Sequence, residues 1–187
     1  MLSISNASVA DRILAGAASC VRDFGVERVT LAEIARRAGV SRPTVYRRWP
    51  DTQSILADLL TARIAATLDE VPPAGKGREA LVDRVVALAE RLRDDELVMA
   101  LLRSELAITY FTQRLGTSQQ VLLETLAENL NAAQRDGSVR PGDPRRLAAM
   151  VLLITQSTVQ SAQIVQPVLT AHALADELRY ALNGYLS

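Results

Sequence analysis

Val29-Thr30-Leu31-Ala32-Glu33-Ile34-Ala35-Arg36-Arg37-Ala38-Gly39-Val40-Ser41-Arg42-Pro43-Thr44-Val45-Tyr46-Arg47-Arg48-Trp49 reads as two short helices joined by a tight turn. Thr30 stands where its hydroxyl can accept from the Glu33 amide while the Glu33 carboxylate reaches back, which predicts a capping box. Gly39 ends this helix after about two turns. Ser41 caps the next one, with Pro43 in its first turn, where a missing N–H costs nothing. Two such helices pack at a steep angle only across small contact residues and a sharp reversal. Ala35 supplies the small contact, Gly39 can take a positive φ, and Val40 plugs the core after the turn. Val45 and Trp49 lie one turn apart and give the second helix its buried side, with Ile34 and Ala38 completing the cluster. Trp49 is therefore expected in the core.

The opposite face is Arg42, Pro43, Thr44, Tyr46 and Arg47, with Arg48 at its margin. A guanidinium fork suits bidentate recognition of guanine O6 and N7 in a major groove, which points to Arg42 and Arg47. Thr44 and Tyr46 can donate hydroxyl hydrogen bonds to phosphate oxygens. The Thr30 hydroxyl with the first amides of its helix forms another phosphate-sized site. Arg36 and Arg37 are expected on a solvated face or in intramolecular pairs.

Outward from this segment the pattern stays helical. Ala10, Ile13, Leu14, Ala17, Val21 and Phe24 recur at spacings of three and four from about Ser8, and Gly25 ends that run. Asp51 caps a fourth helix to about Leu68. Residues 69–77, with Pro72, Pro73, Gly75 and Gly77, read as a linker. Beyond it helices are predicted at about 78–93, 95–107, 109–135, 144–165 and 170–186. The fold class is all-α: an N-terminal helix-turn-helix domain over 1–68 and a C-terminal helical domain over 78–187.

Twenty-one basic residues balance 21 acidic ones among 187, a net charge of zero that would naively argue against a nucleic-acid partner. Charge acts through its distribution. Residues 28–48 hold Arg28, Arg36, Arg37, Arg42, Arg47 and Arg48 against Glu33 alone, whereas the chain beyond residue 60 is mildly acidic. The lone Cys20 excludes a disulfide scaffold and suggests a reducing, cytoplasmic setting. No signal peptide is visible, and the most apolar stretch, 147–165, carries three glutamines, so no membrane partner is expected.

Val29 to Asp51, with Phe24-Gly25 before it and Ile55-Leu56 after it, resembles the N-terminal domain of TetR-type transcriptional regulators. The resemblance covers about residues 8–60. It implies a homodimer whose two recognition helices enter successive major grooves of a near-palindromic operator. It also implies a C-terminal domain that dimerises and often binds a small effector that alters DNA affinity. By position, Arg42, Pro43, Thr44, Tyr46, Arg47 and Arg48 would face DNA, with Thr30 on a phosphate. Family members often carry lysine near the start of helix four; Thr52 stands there instead, after Asp51, so a weaker or hydroxyl-mediated backbone contact is expected.

The remaining candidates read as structural. Cys20 falls near the apolar side of the first helix. His172 is the only histidine, so a His-rich metal site is excluded. Asp94-Asp95-Glu96 suits a helix N-terminus. Gly75-Lys76-Gly77 is not a phosphate-binding loop, because Glu70 occupies the position of the required first glycine. No nucleophile–base constellation supports an enzyme, and no cofactor is expected. In helix 144–165, Leu147, Val151, Ile154, Thr158 and Ala162 form one stripe and Met150, Leu153, Ser157 and Ile164 lie beside it. Leu174, Leu178, Ala181, Leu182 and Tyr185 repeat the pattern in the last helix. That is more apolar surface than one subunit needs, and it suggests a bundle between two subunits. Glu105, Tyr110, Phe111, Gln156 and Gln160 are candidates to line an effector cavity, with solvent or the subunit seam as the other settings for the glutamines. A regulator without effector, or an all-α module binding an acidic protein, remain the alternatives.

Overall fold

The computed structural model describes residues 8–104 and 117–187. Among these residues the elements are helical: α1 (Val9–Phe24), α2 (Leu31–Ala38), α3 (Arg42–Tyr46), α4 (Thr52–Glu70), α5 (Gly77–Asp94), α6 (Glu96–Arg103), α7 (Thr117–Arg135), α8 (Pro144–Val165) and α9 (Ala171–Leu186). The all-α expectation is met. A single 3₁₀ turn, Val26–Arg28, joins α1 to α2.

Local chemistry explains most boundaries. Ser8, Thr30, Ser41, Asp51, Asp95, Asp143 and Thr170 each accept a hydrogen bond from an amide of the first turn they cap. The full capping box lies at α1, where Ser8 and Asp11 exchange bonds of 3.0 and 3.1 Å. At α2 the expected box is only half formed. The Thr30 hydroxyl accepts from the Glu33 amide at 3.2 Å, but the Glu33 carboxylate turns away to Arg36 and Arg37. A guanidinium outcompetes the Thr30 amide for it because the bond is charge-assisted. Gly39 is left-handed at φ 63°, ψ 37°, and its amide reaches back to Ala35 and Arg36, which closes α2 and reverses the chain.

Two cores form. The first joins the buried sides of α1, α2, α3 and α4 around Trp49, and takes in Leu97, Val98 and Leu101 of α6. The second joins α5, α7, α8 and α9 around Val86, Leu130 and Leu182, and includes Met99 from the other side of α6. So α6 lies between the cores. The Arg63 guanidinium on α4 holds Asp95 at its start. Helix α4 touches α5, α6 and α7 as well as α1, so the first core and the C-terminal helices are packed together. The chain between α4 and α5 is non-helical only over 71–76.

Helix α8 is long and apolar enough to cross a membrane by length and composition, yet only 17% of its most apolar window is buried. Leu153 and Ile164 are 59% and 80% exposed, and Met150 is also exposed. Val168 beyond it and Tyr180 on α9 are exposed as well.

Candidate nucleic-acid interface

Helix α3 is seated by its inner side. Val45 and Trp49 are fully buried, and the Trp49 Nε1–H donates to Asp58 Oδ2 at 2.8 Å, which ties the end of the recognition segment to α4. The helix itself is shorter than the spacing predicts. It ends at Tyr46, and Arg47, Arg48 and Trp49 form the following turn with amide bonds back to Pro43 and Val45. Arg47 keeps helical dihedrals, so it stays in the direction set by α3.

Arg42, Pro43, Tyr46, Arg47 and Arg48 are exposed together on the outward side, and Thr44 is half-buried beside them. The Thr44 hydroxyl lies 2.8 Å from the Ser41 hydroxyl, so it is part of the cap as well as of the surface. The Arg48 guanidinium rests over the edge of the core, 5.0 Å from the Trp49 ring centroid. Thr30 is exposed at the N-terminus of α2, its oxygen already bonded to the Glu33 amide.

Electrostatics divide the six arginines into two sets. Arg36 pairs with Glu33 at 2.6 Å. Arg37 is more deeply engaged: it bonds Glu33, the Asp23 carboxylate and the Ser19 hydroxyl, and it stacks 4.7 Å over the Phe24 ring. These guanidinium bonds, Arg36 first and Arg37 next, pull the Glu33 carboxyl down to about 2. Phe24 is thus not a core residue, as its spacing suggests, but an exposed platform under Arg37. Asp23 lies outside the 28–48 window and offsets part of its charge. Arg28, Arg42, Arg47 and Arg48 form no ion pair among the described residues, and three of them belong to α3 and its turn.

Gly16 escaped the sequence reading. A Cβ there would lie 3.1 Å from the Ile34 carbonyl oxygen and 3.3 Å from the Ala38 amide nitrogen, so α1 and α2 meet backbone to backbone at this point. A glycine in mid-helix was the available signal.

A family model for bacterial regulatory proteins of the tetR family matches residues 13–59, which contain this whole arrangement. An HTH-type transcriptional regulator of Mycobacterium bovis is 67% identical over 188 residues, covering all of both chains. The chain belongs to the TetR family. It is accordingly a DNA-binding transcriptional regulator. Among solved structures, the TetR-family repressor FadR of Thermus thermophilus, in complex with lauroyl-CoA, has a TM-score of 0.69 at 21% identity, covering 92% of each chain. FadR of Bacillus subtilis, in complex with stearoyl-CoA, has a TM-score of 0.67 at 18% identity, covering 94% of this chain and 98% of that one. Both share the TetR fold.

The C-terminal part holds a cavity of about 140 Å³ between α4, α5, α7 and α8. Its wall is almost wholly apolar, with Leu88, Leu122, Leu126 and Val159 among the lining residues. Gln156 and Gln160 of the predicted set also line it, and Gln156 accepts from Gln119 Nε2 at 3.1 Å. Glu105, Tyr110 and Phe111 lie outside the described residues. Cys20 is buried, as expected, and burial pushes its thiol up. His172 is exposed near Asp176. Among the described residues no group of His, Cys, Asp and Glu could hold a metal ion.

Proposed function

We propose that this regulator is a cytoplasmic repressor that binds a near-palindromic operator as a homodimer and is released by a small, largely apolar effector. The observation that carries the DNA reading is the set of arginines on α3 and its turn that form no ion pair among the described residues, fixed from behind by Val45 and Trp49. Arg42 and Arg47 read bases. Pro43, Thr44, Tyr46 and Arg48 contact the groove or its phosphates, and Thr30 contacts a phosphate. The chain divides by function into a DNA-binding part over 1–68, a link over 69–77 and a dimerisation and effector part over 78–187.

The exposed apolar face of α8, with Met150, Leu153 and Ile164, and the exposed Tyr180 of α9 support pairing through α8 and α9. A second copy is the occupant because one helix-turn-helix reads only half a site, and a two-fold protein matches a two-fold operator. The apolar cavity supports an effector, as do the acyl-CoA ligands named for the two FadR proteins. An effector acts by favouring a dimer geometry whose recognition helices miss the spacing of successive grooves.

Selection from a random DNA pool tests the central reading. Enrichment of a two-half-site sequence is expected. Failure to enrich any sequence would sink the reading. On the selected operator, Arg47→Ala should lose about 1–3 kcal/mol and relax the preference at one position of each half-site.

A further inference from the structure

A second chamber of different chemistry adjoins the apolar cavity. Leu81, Arg84 and Asn129 line both the inner cavity and an outer one of about 450 Å³, between the start of α5 and the end of α7. The inner chamber alone is smaller than the roughly 300–1,000 Å³ of ordinary ligand pockets. Two of its polar contacts are internal to the wall. The Thr155 hydroxyl donates to the Val151 carbonyl at 2.8 Å, and Gln119 bonds Gln156.

The outer chamber is lined by Lys76, Arg84 and Arg135 against Asp136 alone. Asp136 accepts from the Ser138 amide at 3.0 Å. Lys76 and Arg135 are exposed and form no ion pair among the described residues. Arg84 sits at the junction. Its Nε donates to the Val71 carbonyl at 2.8 Å and its Nη2 reaches the Leu68 carbonyl at 3.5 Å, which leaves Nη1 without a partner among the described residues. Gly77 and Ala80, from the first turn of α5, line the same space, and Lys76 gives that helix no side-chain cap. The Ser138 hydroxyl accepts from the Arg78 amide of that first turn at 2.9 Å, so the positive charge of the chamber is carried by the three side chains.

We infer that the cavity takes an anionic amphiphile, with its apolar chain in the inner chamber and its carboxylate or phosphate head among Lys76, Arg84 and Arg135. This rests on the effector reading above. A charged head deep in the inner chamber would lose its hydration against a wall that is almost wholly apolar. A wholly neutral chain would leave the cationic chamber unused. Only a ligand divided in the same way matches both walls.

The test uses the full chain with dodecanoate, dodecyl phosphate and 1-dodecanol, followed by calorimetry for binding and by operator anisotropy for release. At least one anionic probe should bind about tenfold or more tightly than the alcohol, roughly 1.4 kcal/mol. The better of the two identifies the head. The double variant Lys76→Glu, Arg135→Glu should remove that preference and leave 1-dodecanol binding within about twofold. Leu122→Trp, checked for an unchanged circular dichroism spectrum, should fill the inner chamber and weaken all three probes. Equal binding of acid and alcohol, insensitivity to the charge reversal, or absence of binding by every probe overturns the inference. If an anionic probe binds as expected but leaves operator affinity unchanged, the effector reading fails and the ligand class stands. If 1-dodecanol releases the operator as well as the acids do, the ligand class fails and the effector reading stands.

Discussion

Substituting Gly16 tests how tightly the DNA-binding core is set. In a helix interior alanine is favoured over glycine by about 1 kcal/mol, so Gly16→Ala would stabilise α1 if space allowed. The space is tight. The added methyl would lie 3.1 and 3.3 Å from two backbone atoms of α2, and 3.5 Å from the Ala38 Cβ. No side chain can swing away to admit it. Helix α2 must retreat as a body, and it carries the Gly39 turn and α3 with it. Overpacking of this kind costs about 1–3 kcal/mol, which outweighs the gain in helix propensity. We expect a net loss of about 1 kcal/mol and a fall in Tm of about 2–4 °C for a chain of this size. Thermal unfolding followed by circular dichroism measures the loss, and emission from Trp49, the one tryptophan, reports the repacking. Operator affinity should fall too, because the displaced α3 meets the groove off its register. A Tm that rises by several degrees with operator affinity unchanged would refute the reasoning, since it would show room for a methyl group between α1 and α2.

Glu33 titrates at about 2 in the folded chain against roughly 4.3 when unfolded, so the unfolded state binds the extra proton between those values. Its contribution is intact above about pH 4.3 and fades as pH falls towards 2; Glu33→Gln should flatten the Tm profile there, and parallel profiles would contradict this. Cys20 should resist a thiol reagent at about pH 8 in the native protein and react fully in denaturant, because its sulfur is buried and its thiol raised; fast native labelling would rule out that packing. Leu153→Glu should produce monomers by sedimentation and weaken operator binding at low protein concentration, since a two-fold seam presents the new charge twice. An unchanged sedimentation coefficient would place the seam elsewhere. Gly39→Ala should cost about 1–2 kcal/mol by chemical denaturation, because nothing crowds the position and the left-handed backbone alone opposes it.

The legible parts of the site are those whose causes lie within four residues. The Ser41 cap, the Gly39 reversal and the shared buried side of Val45 and Trp49 all follow from local hydrogen bonding and helical period. Glu33 marks where that reasoning stops. Its spacing from Thr30 offers a capping box, but two arginines one turn further on compete for the same carboxylate and take it. Phe24 shows the same limit. Its spacing continues the apolar stripe of α1, yet the stripe runs out of core at the end of the helix, and Arg37 covers the ring instead.

The sequence by itself determined that this chain is all helix, that residues 29–51 form a helix-turn-helix, and that arginine faces outward from it. Helix period, capping and glycine dihedrals are short-range properties, and they hold whatever the rest of the chain does. The tertiary structure decided which arginines are neutralised, because Asp23 reaches Arg37 across 14 positions of chain. It also decided that Gly16 is a contact between two backbones. Finally, it brought walls from α4, α5, α7 and α8 together around one apolar cavity, next to a second one lined by Lys76, Arg84 and Arg135. Those proximities depend on how whole helices pack, and no local spacing encodes the distance between residues that meet only after the chain has closed on itself.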